Sequence, residues 1–465
     1  MRKKGLQFSF NIQSRPVFFD IWPLFTKSLH PTSLRPIPSL FGRATRRGME
    51  SSASSRPLKT YSSVEYMPLE DIERPERYHP GGYHPIVIGD CLSDRYDVVH
   101  KLGFGTYSTT WLARDRKTKK YVAIKIAVAD ADMQESKILG YLALSDQNDE
   151  GHPGKALIPQ VLDKFLVDGP NGRHRCLVTE PGMMSLAEAK DASYCRLFEL
   201  PWPKPSPPRF VADLHAGNIM LRLPNSMDEL SPEQLYEKYG RPNIEPIVRL
   251  DGKPLPDGVP THGVVPIWLG KESELVTLAE AKIFLTDFGE SFLPTMTQRQ
   301  YSNALDIFVP PEIYFLPCET VSFPSDIWTL ACTIWDIIGQ RPLFEGFNPS
   351  KDWMIKEHVD TLGKLPHDWW QKWDARQRWF NNEEGGRTSG RAGRSLTDRF
   401  VDSVQLPRQE QAIEDVGQAE KTAMLNMLRG MLIFMPGKRL TAAEVMKSEW
   451  ILRWALPVLE RTVTT

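Results

Sequence analysis

The 465-residue chain lacks several features that would assign it to a special class of protein. It has no run of 18 apolar residues, which argues against a transmembrane helix. Its five cysteines form no Cys-x-x-Cys pair, which argues against a disulfide framework and against a zinc site. The net charge of −1 offers no general attraction for nucleic acid. With 41% hydrophobic and 25% charged residues, the composition is that of an ordinary globular protein in a reducing compartment.

The N-terminal segment differs from the rest of the chain. Residues 1–49 carry nine Lys or Arg but a single acid, Asp20, and they lack a continuous apolar core. A secretory signal is therefore not expected, and the segment fits a mitochondrial-type presequence, a basic tail, or sequence upstream of a true start at Met49. The polar, Pro- and Gly-rich residues from Ser51 to Pro85 indicate a linker or an irregular arm. We therefore expect residues 1–80 to form a basic, disordered extension.

A glycine-containing turn follows this extension. Residues 95–102 alternate between apolar and polar side chains, as in a strand, and residues 109–113 form a return strand. Between them, Gly103 and Gly105 would let backbone N–H groups approach a phosphate, because no Cβ blocks the way. A single Gly-x-Gly is more often an ordinary hairpin turn, so this turn indicates a phosphate site only together with other motifs.

A lysine and a glutamate strengthen this interpretation. Lys125 lies in the middle of a β-branched run, where a buried ammonium group requires an anionic partner unless the strand is at an edge and the side chain faces water. A helix capped by Asp132 and running to Leu144 would place Glu135 on its apolar face, together with Ile138, Leu139 and Leu142. We expect Lys125 and Glu135 to form an ion pair, with Lys125 also able to reach the phosphates of a nucleotide.

Two polar loops supply the groups that phosphoryl transfer needs. Asp213 and Asn218 lie in a short loop before an apolar strand, and Asp287 opens an Asp-Phe-Gly sequence after a second strand. Phosphoryl transfer uses one carboxylate to orient the attacking hydroxyl, and an amide with a second carboxylate to hold Mg²⁺. Each half of the pattern is a weak signal, whereas their order and their flanking strands together are more specific.

Several further segments can be assigned from their composition. Five prolines between residues 201 and 208 exclude a long helix through residues 183–212. Residues 222–282 form a long insertion, in which a capped helix begins after Ser231 and ends at Gly240. Residues 325–338 are apolar almost all round and predict a central buried helix. The Trp-, Arg- and Gly-rich residues 367–400 are expected to be a surface excursion.

The ordered set of motifs resembles the eukaryotic protein kinase domain over about residues 90–455. Besides the groups above, the set includes Pro311-Glu312, Asp326-x-Trp328 and Arg439. Within that superfamily the chain is similar to the SR-protein-specific kinases (SRPK), especially to short fungal forms. This closer resemblance is carried by Tyr83-His-Pro before the first strand, by the insertion at 222–282, and by residues 361–366.

The resemblance implies an α+β, bilobal fold, with a small β-rich lobe at residues 90–180 and a larger, mainly helical lobe at 181–455. It implies ATP and Mg²⁺ as cofactors, Asp213 as the catalytic base, and Asn218 and Asp287 as metal ligands. It also implies a buried Glu312–Arg439 ion pair and an Asp326 that braces the catalytic loop. The residues implied to line the nucleotide site are Leu102, Gly103, Gly105, Thr106, Ala123, Lys125, Glu135, Thr179, Glu180 and Met183.

The implied activity is transfer of phosphate to serine in Arg/Ser-rich proteins, with regulation of mRNA splicing as its context. The chain is expected to be a monomer in the cytoplasm and nucleus, without direct contact with nucleic acid or membrane. It departs from the family at Val211, at the proline cluster, and at His215, which replaces a phosphate-contacting Lys and is either a donor to the γ-phosphate or a structural residue. The alternatives are a small-molecule phosphotransferase of the aminoglycoside/choline kinase type and a weakened pseudokinase.

Overall fold

The computed structural model describes residues 64–129, 131, 134–145, 153–198, 214–294, 296–381, 386–388 and 393–458, which belong to one unit of the chain. Strands dominate the first third of this unit and helices dominate the last third, so the fold is α+β. In this described part, no helix combines the length and the apolar character required to cross a lipid bilayer.

A six-stranded antiparallel sheet is formed in the order β1-β2-β3-β4-β6-β5. Apolar side chains on one face of the sheet, including Trp111, Ile124 and Val178, are almost fully buried. Helix α1 (Gln134–Ser145) packs against the sheet through the stripe predicted from the sequence. The strands are β1 (Cys91–Leu92), β2 (Tyr96–Gly105), β3 (Ser108–Asp115), β4 (Tyr121–Ala127), β5 (Val161–Gly169) and β6 (Gly172–Thr179).

Two smaller sheets connect this region to the helical region. A three-stranded sheet has the order β11-β8-β7, and a two-stranded sheet pairs β9 with β10 inside the insertion. The predicted capped helix of the insertion is present as α3 (Pro232–Tyr239), with Gly240 at a φ of 96° after its last turn. The strands are β7 (Gly182–Ser185), β8 (Ile219–Arg222), β9 (Ile244–Pro246), β10 (His262–Val264) and β11 (Ile283–Leu285).

The helical region is built around α5 (Phe323–Ile338), which is buried on nearly all sides, as the sequence predicted. Trp328 and Trp335 of this helix have no exposed surface, and they belong to the largest apolar cluster of the described residues. The other helices are α2 (Leu186–Ala192), α4 (Glu312–Phe315), α6 (Lys351–Leu362), α7 (His367–Lys372), α8 (Leu396–Phe400), α9 (Leu406–Glu410), α10 (Gln418–Met431) and α11 (Ala442–Met446).

The structure corrects the expectation of disorder for residues 64–80. Residues 64–83, called the arm below, pack against the insertion and against the six-stranded sheet. Tyr66, Tyr78 and Tyr83 are buried in one cluster with Ile247 and Val259 of the insertion. Burial of these aromatic rings, each contributing a large apolar surface, explains why a Pro- and Gly-rich segment is held in place.

Residues 367–400 were expected to form a surface excursion, and the Trp and Phe side chains of their described part are instead packed into the core. In their described part, Trp369, Trp370, Trp373 and Phe380 are at most 3% exposed and belong to the main apolar cluster. The prediction of a surface excursion is therefore wrong for these residues. The aromatic rings pack edge to face and stacked against each other, which buries them even though polar residues separate them in sequence.

The sequence excluded a long helix through residues 183–212, and the described residues 183–198 contain one short helix upstream of the prolines. Helix α2 forms at Leu186–Ala192, upstream of the prolines, and a reciprocal capping box between Ser185 and Glu188 begins it. Leu197 and Phe198 after the helix are buried. The proline cluster itself, together with Val211, lies outside the described residues.

Candidate active site

The pairing of β8 with β11 brings Asn218 close to Asp287. Leu285, the last residue of β11, lies opposite Ile219, the first residue of β8. Asn218, which precedes β8, therefore adjoins Thr286 and Asp287, which follow β11. The N–H of Thr286 donates to the carbonyl oxygen of Asn218 at 2.9 Å. Both Asn218 and Asp287 line one small cavity, together with Leu214 and Leu285. The two implied metal ligands therefore lie at the same end of the three-stranded sheet.

Asp287 has an unusual backbone conformation. Its φ and ψ angles are both 58°, in the left-handed region that residues other than Gly, Asn and Asp seldom adopt. A short 3₁₀ turn, Phe288–Glu290, follows it, and the Phe288 ring is 2% exposed. Burial of this ring fixes the turn, and the left-handed residue directs the carboxylate toward the site.

Lys125 joins the six-stranded sheet to both carboxylates. Its Nζ lies 2.7 Å from Oε2 of Glu135 and 3.0 Å from Oδ1 of Asp287. Glu135 also accepts a hydrogen bond from the N–H of Phe288 at 3.3 Å. The expected Lys125–Glu135 ion pair is present, and the edge-strand alternative is excluded because β4 lies between β3 and β6. The contact with Asp287 was not expected from the sequence.

The charges of this cluster shift the pKa values of its members. Burial works to lower the pKa of Lys125, but the carboxylates of Glu135 and Asp287 together outweigh it and raise this pKa above its usual value. The ammonium group of Lys125 in turn lowers the pKa of Asp287, and His215 contributes in the same direction. Lys125 and Asp287 are therefore charged at neutral pH, as an anion-binding lysine and a metal-binding carboxylate must be.

The glycine-containing turn lies at the end of the β2–β3 hairpin. Gly103 pairs with Thr110 and Gly105 with Ser108, so Thr106 is part of the two-residue connection. Gly105 and Thr106 are exposed, and space surrounds the position where a Cβ of Gly105 would be. The backbone of this turn can thus approach a ligand closely.

The other residues expected at the nucleotide site lie along one side of the sheets. Ala123 of β4 faces Thr179 of β6 directly, and the partly buried Leu102 and Met183 pack against one apolar cluster. The resemblance implies that these residues line a flat heteroaromatic ring. The side chain of Glu180, in contrast, forms an ion pair with Arg222 of β8, so only its backbone could face such a ring.

His215 has a structural contact that the sequence did not reveal. Its Nδ1 accepts the N–H of Gly217 at 3.1 Å and so caps the 3₁₀ turn Ala216–Asn218. The ring stacks on Phe308 with a centroid distance of 6.0 Å. When the ring is neutral, this contact places its proton on Nε2, which keeps a donor on the opposite side of the ring.

The loop that carries these groups is braced from the helical region. Thr333 of α5 donates a hydrogen bond to the carbonyl oxygen of Leu214 at 2.8 Å. The expected ion pair between Arg439 and Glu312 is present, with Nη2 and Oε2 2.5 Å apart and both side chains almost fully buried. Asp326 is 3% exposed at the start of α5. Asp213 lies outside the described residues, so its expected position remains a prediction.

The donor set fits a nucleotide with a divalent cation. A carboxylate and an amide are the oxygen ligands that Mg²⁺ prefers, and they lie beside a charged lysine and an accessible glycine turn. When bound, the cation would neutralise phosphate charge, and Asp287 with Asn218 would hold it. Among the described residues there is no cluster of three or more His, Cys, Asp or Glu that would suit a transition metal instead.

Comparisons with known proteins agree with this geometry. The family model for the protein kinase domain matches residues 271–451. A serine/threonine protein kinase of Aspergillus fumigatus is 25% identical over 405 residues, 82% of this chain and 90% of that protein. Human SRSF protein kinase 3 is 38% identical over 143 residues, 29% of this chain and 25% of that protein. Protein kinase dsk1 of Schizosaccharomyces pombe is 44% identical over 111 residues, 23% of this chain and 20% of that protein.

Residues 271–451 match the protein kinase domain, and the site and the similar serine/threonine kinases support the same class of enzyme, one that uses ATP and a divalent metal to phosphorylate a protein. Within that class it is SRPK-like, since its more identical but shorter matches include the SRSF and dsk1 kinases.

Proposed function

We propose that the chain transfers the γ-phosphate of ATP, with Mg²⁺, to serine residues in Arg/Ser-rich protein segments. The main support is the convergence of Lys125, Glu135 and Asp287 in one ion-paired cluster next to Asn218. The similarity to an SRSF protein kinase supports the substrate class. Asp213, five residues before Asn218, is assigned the role of accepting the proton of the attacking hydroxyl.

The fold that this function requires has two lobes. The smaller lobe, residues 90–180, would hold the nucleotide between its glycine turn and Lys125. The larger lobe, residues 181–455, would supply Asn218, Asp287 and the protein-binding surface. A connection at Pro181 and Gly182 would allow the lobes to close, which excludes water and aligns the reacting groups.

The proposal is tested with the purified chain, MgATP and three matched peptides: an Arg/Ser repeat, a Lys/Ser repeat and an Arg/Ala repeat. We expect phosphate transfer to the Arg/Ser peptide, weaker transfer to the Lys/Ser peptide and none to the Arg/Ala peptide. Asp213→Asn should abolish transfer while the melting temperature stays unchanged, because the substitution keeps the size of the side chain. EDTA should have the same effect on transfer.

Two outcomes would replace this proposal. Phosphorylation of aminoglycosides or choline, with none on any peptide, would favour a small-molecule phosphotransferase. A folded chain whose melting temperature does not rise with MgATP would favour a pseudokinase, because a ligand of the native state must stabilise it.

A further inference from the structure

The arm meets the glycine turn at three successive points. Glu73 of the arm forms an ion pair with Lys101 of β2, just before the turn, and both side chains are at most 3% exposed. The hydroxyl of Tyr83 donates to the carbonyl oxygen of Gly105 at 2.6 Å. Arg77 donates from Nη2 to the carbonyl oxygen of Thr106. The carbonyl groups of the turn that face the arm are therefore bound by side chains of the arm.

The arm is itself held rigidly where these contacts are made. The side-chain amide of Asn171 donates to the carbonyl oxygen of Tyr83 at 2.7 Å, and the N–H of Tyr83 donates to the carbonyl oxygen of Arg77 at 3.0 Å. A Cβ at Gly82 would lie 2.0 Å from that same carbonyl oxygen, so the tight turn of the arm requires glycine. Arg77 also lies over the Tyr83 ring, 5.1 Å from its centroid.

Apart from its ladder pairing and the N–H of Val128, which donates to the carbonyl oxygen of Tyr107 at 2.9 Å, the glycine turn is exposed to solvent. Gly105, Thr106 and Tyr107 are all exposed, and the Tyr107 ring is 58% exposed. An exposed two-residue hairpin turn that follows a glycine has several accessible conformations, and a ligand must select one of them at an entropic cost. Contacts that fix the turn beforehand reduce this cost and so increase affinity.

We propose that the arm positions the glycine turn for the phosphates of ATP, and that Tyr83 is the main positioning residue. This inference rests on the proposed function, since it assumes that ATP binds beneath the turn. Tyr83 does not touch the reacting atoms in this assignment. It acts through the Gly105 carbonyl, whose orientation sets that of the neighbouring N–H groups.

The test compares two variants that each lose one tyrosine hydroxyl. Tyr83→Phe removes the hydrogen bond to Gly105, whereas the control, Tyr236→Phe, removes a 2.7 Å hydrogen bond to Val99 on the same strand but away from the turn. In the nucleotide-free protein, we expect Tyr83→Phe to speed hydrogen exchange at residues 103–108. With peptide substrate, its KM for ATP should rise about two- to tenfold, the range of one hydrogen bond, while kcat changes little.

Arg77→Gln is the second variant, and it should also speed exchange at residues 103–108 and raise the KM for ATP. It keeps the inference testable if Tyr83→Phe does not fold. Unchanged exchange and unchanged KM in the folded arm variants would overturn the inference, and so would equal changes in Tyr236→Phe. A wild-type chain that is not stabilised by MgATP would instead refute the proposed function. The exchange measurement needs no nucleotide, so it would still show whether the arm restrains the turn.

Discussion

Lys125 and Asp287 are 162 positions apart in the sequence, and their Nζ and Oδ1 atoms lie 3.0 Å apart. This contact connects a strand of the large sheet to the turn that carries the implied metal ligand. Each group holds the other in its charged form, and Glu135 supports the lysine from the opposite side. The ion-paired cluster thus links the strand that carries Lys125 to the turn that carries Asp287.

Lys125→Met should reduce kcat/KM for ATP-dependent phosphate transfer roughly 10- to 100-fold, because a charge-assisted contact to phosphate is lost. The melting temperature should also fall, because Glu135 keeps a largely buried carboxylate without its cation. Steady-state kinetics and thermal unfolding measure the two effects. The matched control is Lys120→Met, which changes an exposed lysine before the same strand; equal losses in both variants would contradict the assignment of Lys125.

The two roles left open for His215 can be separated by Ala and Asn substitutions. Asparagine can replace the capping acceptor for the Gly217 N–H, whereas alanine cannot, so only His215→Ala should lose about 1 kcal/mol of stability. We expect kcat to fall in both variants, because both lose the ring whose Nε2 is a donor next to Asp287. Wild-type kcat in His215→Asn would assign the histidine to capping alone.

The buried Glu312–Arg439 pair should be essential for stability. Arg439→Met leaves an unpaired carboxylate in the interior, and we expect a loss of about 3–5 kcal/mol in the free energy of unfolding measured with urea. The double variant Glu312→Gln/Arg439→Met should be more stable than this single variant, because the unpaired charge is gone. Arg453→Met, in the exposed pair with Glu449, should cost at most about 1 kcal/mol. A single Arg439→Met variant as stable as wild type would contradict this account.

His358 should make the fold sensitive to acid. The ring has no exposed surface and lies 4.4 Å from the Phe344 ring and 5.0 Å from the Trp328 ring. Neither nitrogen has a hydrogen-bond partner among the described residues. Burial therefore lowers its pKa from 6.5 to about 3. Above pH 6.5 His358 is neutral in both the folded and the unfolded chain, so its burial does not reduce the free energy of unfolding. Between pH 6.5 and 3 the unfolded chain alone takes up a proton, so stability falls as the pH falls.

The measurement is urea unfolding of wild type and His358→Leu at pH 7.5 and pH 5.5. Between these two pH values, the free energy of unfolding should fall by about 1.4 kcal/mol more in wild type than in the variant. This difference corresponds to the uptake of one proton by the unfolded chain over the one pH unit below its pKa of about 6.5. His84 and His100, whose pKa values burial lowers to about 4, are present in both proteins and cancel in the difference. Equal losses in the two proteins would show that His358 does not control the acid response.

The elements that the sequence predicted correctly have local causes. Strand β4 follows from its β-branched run, helix α1 from the period of its apolar residues, and the buried helix α5 from a segment that is apolar almost all round. Helix α3 follows from its capping box and from Gly240. The Lys125–Glu135 pair could be predicted because each charge lies in an apolar pattern that requires a partner. These features need no knowledge of distant contacts.

The features that were missed depend on distant parts of the chain. Trp370 and Trp373 have polar and charged neighbours in the sequence, and only the packing of their rings against each other reveals that they are buried. The arm likewise has the composition of a linker, and it is ordered because its tyrosines pack against an insertion that begins more than a hundred residues later. Helix α2 carried a local signal, the Ser185–Glu188 capping box, which the proline cluster after it obscured.

The left-handed backbone of Asp287 limits which residues can replace it, whatever their chemistry. Gly, Asn and Asp adopt this conformation more readily than other residues, whereas a β-branched residue such as Val or Ile is strongly disfavoured there. A library randomised at this codon and selected only for folded protein, with no demand for phosphate transfer, should therefore be enriched in Gly, Asn and Asp and depleted of Val and Ile. The shape of the chain at this residue would thus constrain its evolution even in a descendant that had lost all enzymatic activity.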